Sequence, residues 1–295
     1  MKPLRGIIPP VPTPFTRSGE LDTDTLRGLL GGLEPSVDGF LLLGSNGEAV
    51  YLTEHERDEV VRTAREVIPD SKPLIVGTGG EATQIVADRN RRAADLGADY
   101  VLVLPPHYFK GQMTDDVLAT HYRYLADDSA VPVLLYNMPA ATTLSLSPNL
   151  VATLAAHANI VGLKDSSGNV PAMVEILRQV PTDFTVLTGN APTLLASLAL
   201  GAKGGILAVA NVAPKAYRQI FDAAAQGDIT TARELQKQYN PLALAVTARY
   251  GVPGLKAVLR EQGLSAGYPR APMLDVDGGV AAELKRLIEE TFAAA

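Results

Sequence analysis

Residues 133–164 read VLLYNMPAATTLSLSPNLVATLAAHANIVGLK. Two short apolar runs, Val133–Tyr136 and Ile160–Leu163, flank a longer stretch with helical spacing, which is the grammar of one strand–helix unit. The same unit recurs outward in both directions. Further apolar runs stand at Gly6–Val11, Gly39–Leu43, Leu74–Val76, Tyr100–Leu104, Thr185–Leu187 and Gly205–Val209. Between them, Leu26, Leu29, Leu30 and Leu33 follow i, i+3, i+4, i+7 spacing, and Thr53-x-x-Glu56 forms a capping-box signature ahead of Val60, Val61, Ala64, Val67 and Ile68.

Near-continuous apolar strands alternating with helices imply a parallel sheet covered on its outer face. Eight such units in 295 residues favour an α/β fold of the (β/α)8 barrel type over an open doubly wound sheet. Helical segments follow the eighth strand at about Pro214–Ala225, Thr230–Ala248, Gly251–Gln262 and Val280–Phe292. The last three exceed what closing a barrel requires. The expected organisation is a barrel over residues 1–225 with a helical extension over 226–295 packed against it, since no Pro/Gly/Ser linker separates them.

Composition narrows the function. Lys and Arg number 26 against 32 Asp and Glu, a net charge of −6, and no basic stripe suggests a nucleic-acid groove or an anionic membrane surface. Cysteine is absent, which removes disulfides, cysteine-ligated zinc, iron–sulfur clusters and cysteine nucleophiles together. The start, MKPLRGIIPPVPTPF, has its apolar residues broken by prolines and shows no signal-peptide core. The most apolar long stretch, Leu194–Ala213, carries Lys203 among glycines and reads as helix, turn and strand rather than a membrane span. A soluble chain in the cytoplasm is the expectation.

Barrel chemistry sits at the C-terminal ends of the strands. Lys164 closes the run Ile160–Leu163, a position suited to a Schiff-base nucleophile, whose amine must be neutral to attack. The plainer alternative is a strand-end lysine that reaches water or pairs with Asp165. Tyr136 ends the preceding run, where a phenol can pass protons to an intermediate on Lys164 or simply fill space at the rim. Gly44-Ser45-Asn46-Gly47-Glu48 follows a strand and suits a carboxylate through inward N–H groups and the Ser45 and Asn46 side chains, although an ordinary strand–helix turn has the same composition. Gly77-Thr78-Gly79-Gly80 lacks a Walker lysine and a full dinucleotide fingerprint. His55, His107, His121 and His157 are scattered without metal-ligand spacing, with His107 expected at the rim, and Lys203 and Lys256 are expected to reach solvent. A covalent mechanism without metal or cofactor is the simplest reading.

These residues resemble the class I pyruvate-type aldolases related to dihydrodipicolinate synthase and N-acetylneuraminate lyase. The likeness spans nearly the whole chain and rests on GSNGE at 44–48, PHY at 106–108, YNMP at 136–139, GLKDSSG at 162–168 and GGILAVANV at 204–212. It implies that Lys164 forms the imine, that Tyr136 transfers protons, and that Ser45 supplies the relay hydroxyl. It also implies that Ser45, Asn46 and Gly47 receive the substrate carboxylate, and that Gly189 and Ile206 line the pocket. Tyr108 matches a tyrosine that synthases insert into the neighbouring subunit's site, and the family's homotetramer, a dimer of dimers, is expected with it. Substrates would be a pyruvate-type 2-oxo acid and an aldehyde.

The synthases carry an arginine just after the tyrosine strand, whereas this chain reads Met138-Pro139-Ala140-Ala141-Thr142-Thr143. No alanine replaces a bidentate guanidinium. Together with Asn46 and KDSSG, this points to the branch that cleaves 4-hydroxy-2-oxoglutarate to pyruvate and glyoxylate. The alternatives are a dihydrodipicolinate (4-hydroxy-tetrahydrodipicolinate) synthase acting on aspartate semialdehyde, a 2-keto-3-deoxy sugar acid aldolase, or a barrel that only binds a 2-oxo acid.

Overall fold

The apolar runs become eight parallel strands: β1 (Gly6–Ile8), β2 (Phe40–Leu42), β3 (Leu74–Gly77), β4 (Tyr100–Val103), β5 (Val133–Asn137), β6 (Ile160–Asp165), β7 (Thr185–Thr188) and β8 (Gly204–Ile206). The computed structural model describes residues 2–293. Hydrogen bonding runs in the order β1-β8-β7-β6-β5-β4-β3-β2. The remaining seam, β1 to β2, closes just beyond β1, where the Leu41 N–H donates to Pro9 O and the Val11 N–H donates to Leu41 O. Pro9 and Pro10 have no N–H to give, so the expected run Gly6–Val11 is a regular strand only to Ile8 and closes the barrel through a carbonyl and the next free amide.

Successive strand residues point to opposite faces. Ile7, Phe40, Val76, Val101, Leu135 and Val186 face the helices, while Ile8, Leu41, Ile75, Leu102, Leu134, Tyr136, Leu187 and Ile206 form a separate cluster inside the barrel. Both faces are dry, which is why the runs are continuous rather than alternating.

The helices are α1 (Thr23–Leu33), α2 (Glu54–Val67), α3 (Thr83–Asp95), α4 (Asp115–Asp128), α5 (Pro139–Thr142), α6 (Pro148–Ala155), α7 (Val170–Gln179), α8 (Leu194–Leu200), α9 (Pro214–Ala225), α10 (Ile229–Leu244), α11 (Gly251–Glu261) and α12 (Gly278–Ala293). Helix α1 buries Leu26, Leu29, Leu30 and Leu33. Helix α2 begins in the expected capping box, with the Glu56 N–H donating to Thr53 Oγ1 and the Thr53 N–H to Glu56 Oε2. The segment expected as one helix over Thr230–Ala248 is an α-helix only to Leu244 and then a π-helical turn, Ala245–Arg249, closed by the Tyr250 N–H on Ala245 O. Among the described residues, no helix is long and apolar enough to cross a membrane, and no three His, Cys, Asp or Glu side chains gather at metal-binding distance.

Candidate active site

Strands β5 and β6 pair with Tyr136 opposite Lys164 and Asn137 opposite Asp165. Because neighbours in a strand face opposite ways, this register decides which side chains meet. Lys164 and Tyr136 point into the barrel and are 4% and 3% exposed, with Lys164 Nζ 4.1 Å from the centre of the Tyr136 ring. Asp165 faces away. Its carboxylate accepts from Asn137 Nδ2 at 2.8 Å and from the Ser167 N–H and hydroxyl at 3.1 and 3.0 Å. The alternatives of a lysine reaching water or pairing with Asp165 therefore do not describe Lys164.

Ser45 arrives from the other side of the barrel, its Oγ 3.4 Å from Tyr136 Oη. Burial pushes the Tyr136 hydroxyl up, but the nearby Lys164 charge and hydrogen bonding with Ser45, Lys164 and Ser166 outweigh it and hold the group below its ordinary value. A buried phenol poised towards ionisation beside an amine is suited to moving protons.

The turn carrying Ser45 is built at some expense. Leu43 and Glu48, on either side of Gly44–Gly47, both adopt left-handed backbone, with φ of 56° and 52°. Such conformations cost roughly 1–2 kcal/mol each outside glycine. Gly77 accommodates the first of them, since a Cβ there would meet Leu43 O at 2.1 Å. That close approach, not a phosphate, accounts for the glycine that opens the Gly77–Gly80 loop. Within the turn the Gly47 N–H donates to Gly44 O at 3.0 Å, so it does not point inward as expected, because the residues wind into a 3₁₀ turn. Asn46 Nδ2 is enclosed and has no partner among the described residues, a donor in want of an acceptor.

A cavity of about 220 Å³ opens on the Ser45–Tyr136 side of this centre, lined also by Ala141, Thr142, His107 and Arg57; Lys164, Asn46, Gly189 and Ile206 are not in its wall. His107 stands at the rim as expected, near Glu81. The guanidinium of Arg57 donates to Ala49 O at 2.7 Å and Gly77 O at 3.4 Å.

Gly189 lies directly beside the centre. A Cβ on it would sit 1.8 Å from Ser166 Oγ and 3.1 Å from Lys164 Cε. Ile206 is buried in the inner cluster with Tyr136. Tyr108 is not gathered into this site within the chain: it is 77% exposed and packs edge-on against Phe109, itself 69% exposed. Sequence reasoning gave Ser166 no role of its own; its signal was only its place two residues beyond Lys164. Lys256 reverses an expectation outright. It does not reach solvent but is wholly buried, its Nζ 2.5 Å from Glu48 Oε1. Its neighbours Leu255, Ala257, Val258 and Leu259 are all buried, and that unbroken apolar setting was the available signal.

The model of the dihydrodipicolinate synthetase family matches residues 3–291. The chain is 36% identical over 279 residues to a 4-hydroxy-tetrahydrodipicolinate synthase of Methanothrix thermoacetophila, covering 92% of each chain. It is 32% identical over 286 residues to the synthase of an Exiguobacterium species, covering 97% of each. Among solved structures, a prophage protein of the dihydrodipicolinic acid synthase family from E. coli K12, in complex with pyruvate, superposes with a TM-score of 0.92 at 32% identity, covering 98% of this chain and 99% of that one. These names lend no support to the 4-hydroxy-2-oxoglutarate branch and agree better with the synthase alternative. Membership also sets aside a barrel that merely binds. This chain belongs to the dihydrodipicolinate synthetase family and is a class I lyase that works through a lysine imine.

Proposed function

We propose that Lys164 forms the imine with pyruvate and that the resulting enamine is joined to aspartate semialdehyde, the reaction of a 4-hydroxy-tetrahydrodipicolinate synthase. The observation that carries the reading is the buried amine of Lys164 over the Tyr136 ring, with Ser45 on the Tyr136 hydroxyl. The names of the relatives support the aldehyde, and the pyruvate complex of the E. coli relative supports the 2-oxo acid.

The substrate carboxylate rests on Ser45 and Asn46, where the enclosed amide of Asn46 supplies a donor. The Lys164 amine adds to the 2-oxo carbon. Tyr136, linked to Ser45, delivers a proton to the departing hydroxyl, and water leaves as the carbinolamine becomes an imine. The protonated imine draws electrons from C3, a C3 proton is lost, and the enamine carbon bonds to the aldehyde carbon. The aldehyde oxygen takes up a proton to become the 4-hydroxyl, and the amino group of the former semialdehyde then attacks the imine carbon, closing the ring and displacing the Lys164 amine. Gly189 and Ile206 bound the space around the imine. No step requires a metal or an organic cofactor. The exposed Tyr108–Phe109 pair fits a tyrosine that completes a neighbouring subunit's site, so we assign the active form to a homotetramer; a cytoplasmic location is proposed on the sequence reading alone.

One observation weighs against the aldehyde assignment and keeps open a second reading, cleavage of 4-hydroxy-2-oxoglutarate. Ala141 lines the cavity where the synthases' arginine would stand, and the guanidinium that does line it, Arg57, is engaged with two backbone carbonyls, so the guanidinium clamp by which synthases select aspartate semialdehyde is missing. Here Tyr136 takes the C4 hydroxyl proton as C3–C4 breaks, and the electrons pass into the imine.

Borohydride reduction with pyruvate, followed by peptide mass mapping, should place a pyruvyl adduct on Lys164 and none in Lys164→Ala. An unmodified Lys164 in folded protein overturns the scheme. Parallel assays should then show a higher kcat/KM for aspartate semialdehyde condensation than for 4-hydroxy-2-oxoglutarate cleavage; the reverse order transfers the assignment to the second reading.

A further inference from the structure

Glu48 directly follows the Ser45–Gly47 turn, and its carboxylate is sealed from solvent by residues from the far end of the chain. Lys256 Nζ, on α11, approaches Glu48 Oε1 at 2.5 Å, and the Arg270 N–H donates to Glu48 Oε2 at 2.8 Å. The same ammonium donates to Thr13 O and to Tyr268 O, each at 2.7 Å. The ammonium thus donates to two separate segments and stands against the carboxylate of a third, an arrangement that suits a compact charge with several protons to give. Thr13 in turn donates its hydroxyl to Gly47 O at 2.7 Å. The turn is thus held at two successive residues, Gly47 and Glu48, and both holds converge on Lys256.

We propose that the Lys256–Glu48 ion pair is the positioning element of the carboxylate-binding turn, so that a side chain of α11 sets where Ser45 and Asn46 stand relative to Tyr136 and Lys164. The inference rests on the reading that this turn receives the substrate carboxylate. Fully buried ion pairs are poor sources of stability, because desolvation cancels much of their attraction, and one between sequence-remote segments is better explained by the geometry it imposes. The geometry here needs imposing, since Glu48 itself holds a left-handed backbone. Ser45 Oγ to Tyr136 Oη, at 3.4 Å, is already a long contact that a small displacement of the turn would break. Burial pulls the Lys256 amine down to about 8, against the upward pull of Glu48, so the ammonium keeps its charge at neutral pH. Lys256 and Glu48 touch no reacting atom and act through the turn.

The test uses two variants of the full chain. Glu48→Gln leaves an acceptor for Lys256 and removes only the charge; Glu48→Gln combined with Lys256→Met removes both charges at nearly constant volume. The unfolding midpoint of each is measured, and the pyruvate concentration that half-saturates borohydride trapping is read well below that midpoint. We expect the half-saturating concentration to rise at least tenfold in the double variant and less in the single one, with Lys164 still trapped at saturating pyruvate. Trapping in folded variants that matches wild type, whatever the change in midpoint, overturns the inference and leaves a purely structural pair. Should the double variant not fold, Glu48→Gln decides by the same criterion. A wild-type chain that is not trapped overturns the parent reading and this one with it, so the two failures are told apart.

Discussion

Gly189→Ala adds one methyl group to the space between Ser166 and Lys164. The new Cβ would stand 1.8 Å from Ser166 Oγ, 2.9 Å from Ser166 Cβ and 3.1 Å from Lys164 Cε. Rotating the serine moves its hydroxyl but not its Cβ, so a rotamer change alone does not clear the overlap. The backbones resist as well: the Gly189 N–H is bonded to Asp165 O at 2.6 Å and the Ser166 N–H to Asn137 O at 2.8 Å. To regain ordinary carbon–oxygen contact the Ser166 hydroxyl must shift by about 1.5 Å, which disturbs its hydrogen bonding with Tyr136. Displacements of about 1 Å at a reacting centre cost roughly 10²-fold in rate, and that is the expected loss in borohydride trapping at fixed pyruvate. The substitution should cost about 1–3 kcal/mol of stability by overpacking, which urea unfolding measures. Adding Ser166→Gly removes the two shortest contacts and should recover part of the trapping rate. A Gly189→Ala chain that traps pyruvate at the wild-type rate would refute the packing argument and the placement of Ser166 with it.

Tyr136→Phe should lower turnover by roughly 10²- to 10⁴-fold while the protein stays folded, because the ring still fills the barrel and only the proton path is lost; undiminished turnover would remove Tyr136 from the mechanism. His121 on α4 gives a test of the scaffold by pH. Burial holds its ring down to about 4, with Nδ1 at 2.9 Å from Thr83 Oγ1. The unfolded chain takes up a proton near 6.5 that the folded chain refuses until about 4. This group's contribution is therefore complete above 6.5 and is lost as pH falls through 4, by up to about 3 kcal/mol. Urea unfolding of wild type and His121→Gln at pH 7.5 and 4.5 isolates it, because the carboxylates titrate alike in both; equal losses of stability in the two proteins would show that His121 is not held neutral.

Much of the barrel is legible in the residues taken in order. Strands buried on both faces must be continuously apolar, so their positions stand out, and Lys164 and Tyr136 are conspicuous as the first polar groups where two such runs end. What local reading missed was register. That Tyr136 lies opposite Lys164, and that Asp165 therefore turns away from the amine, depends on how β5 and β6 pair. A periodic pattern also reports an element's average surroundings and not the partner awaiting one residue, so the spacing of α11 reads Lys256 as solvated although it is buried against Glu48.

The residues read in order were enough for the parallel eight-stranded fold, the capping box of α2, the family, and Lys164 and Tyr136 as the pair to examine, because hydrophobic period and strand-end chemistry are properties of short segments. Three-dimensional packing was needed to show that Ser45 reaches Tyr136 across the barrel, that Ser166 nests on the bare backbone of Gly189, and that Lys256 is sealed against Glu48 behind the Ser45–Gly47 turn. Each joins segments distant in the chain, and a buried charge is tolerable only where a remote partner is delivered to it, which no local pattern records.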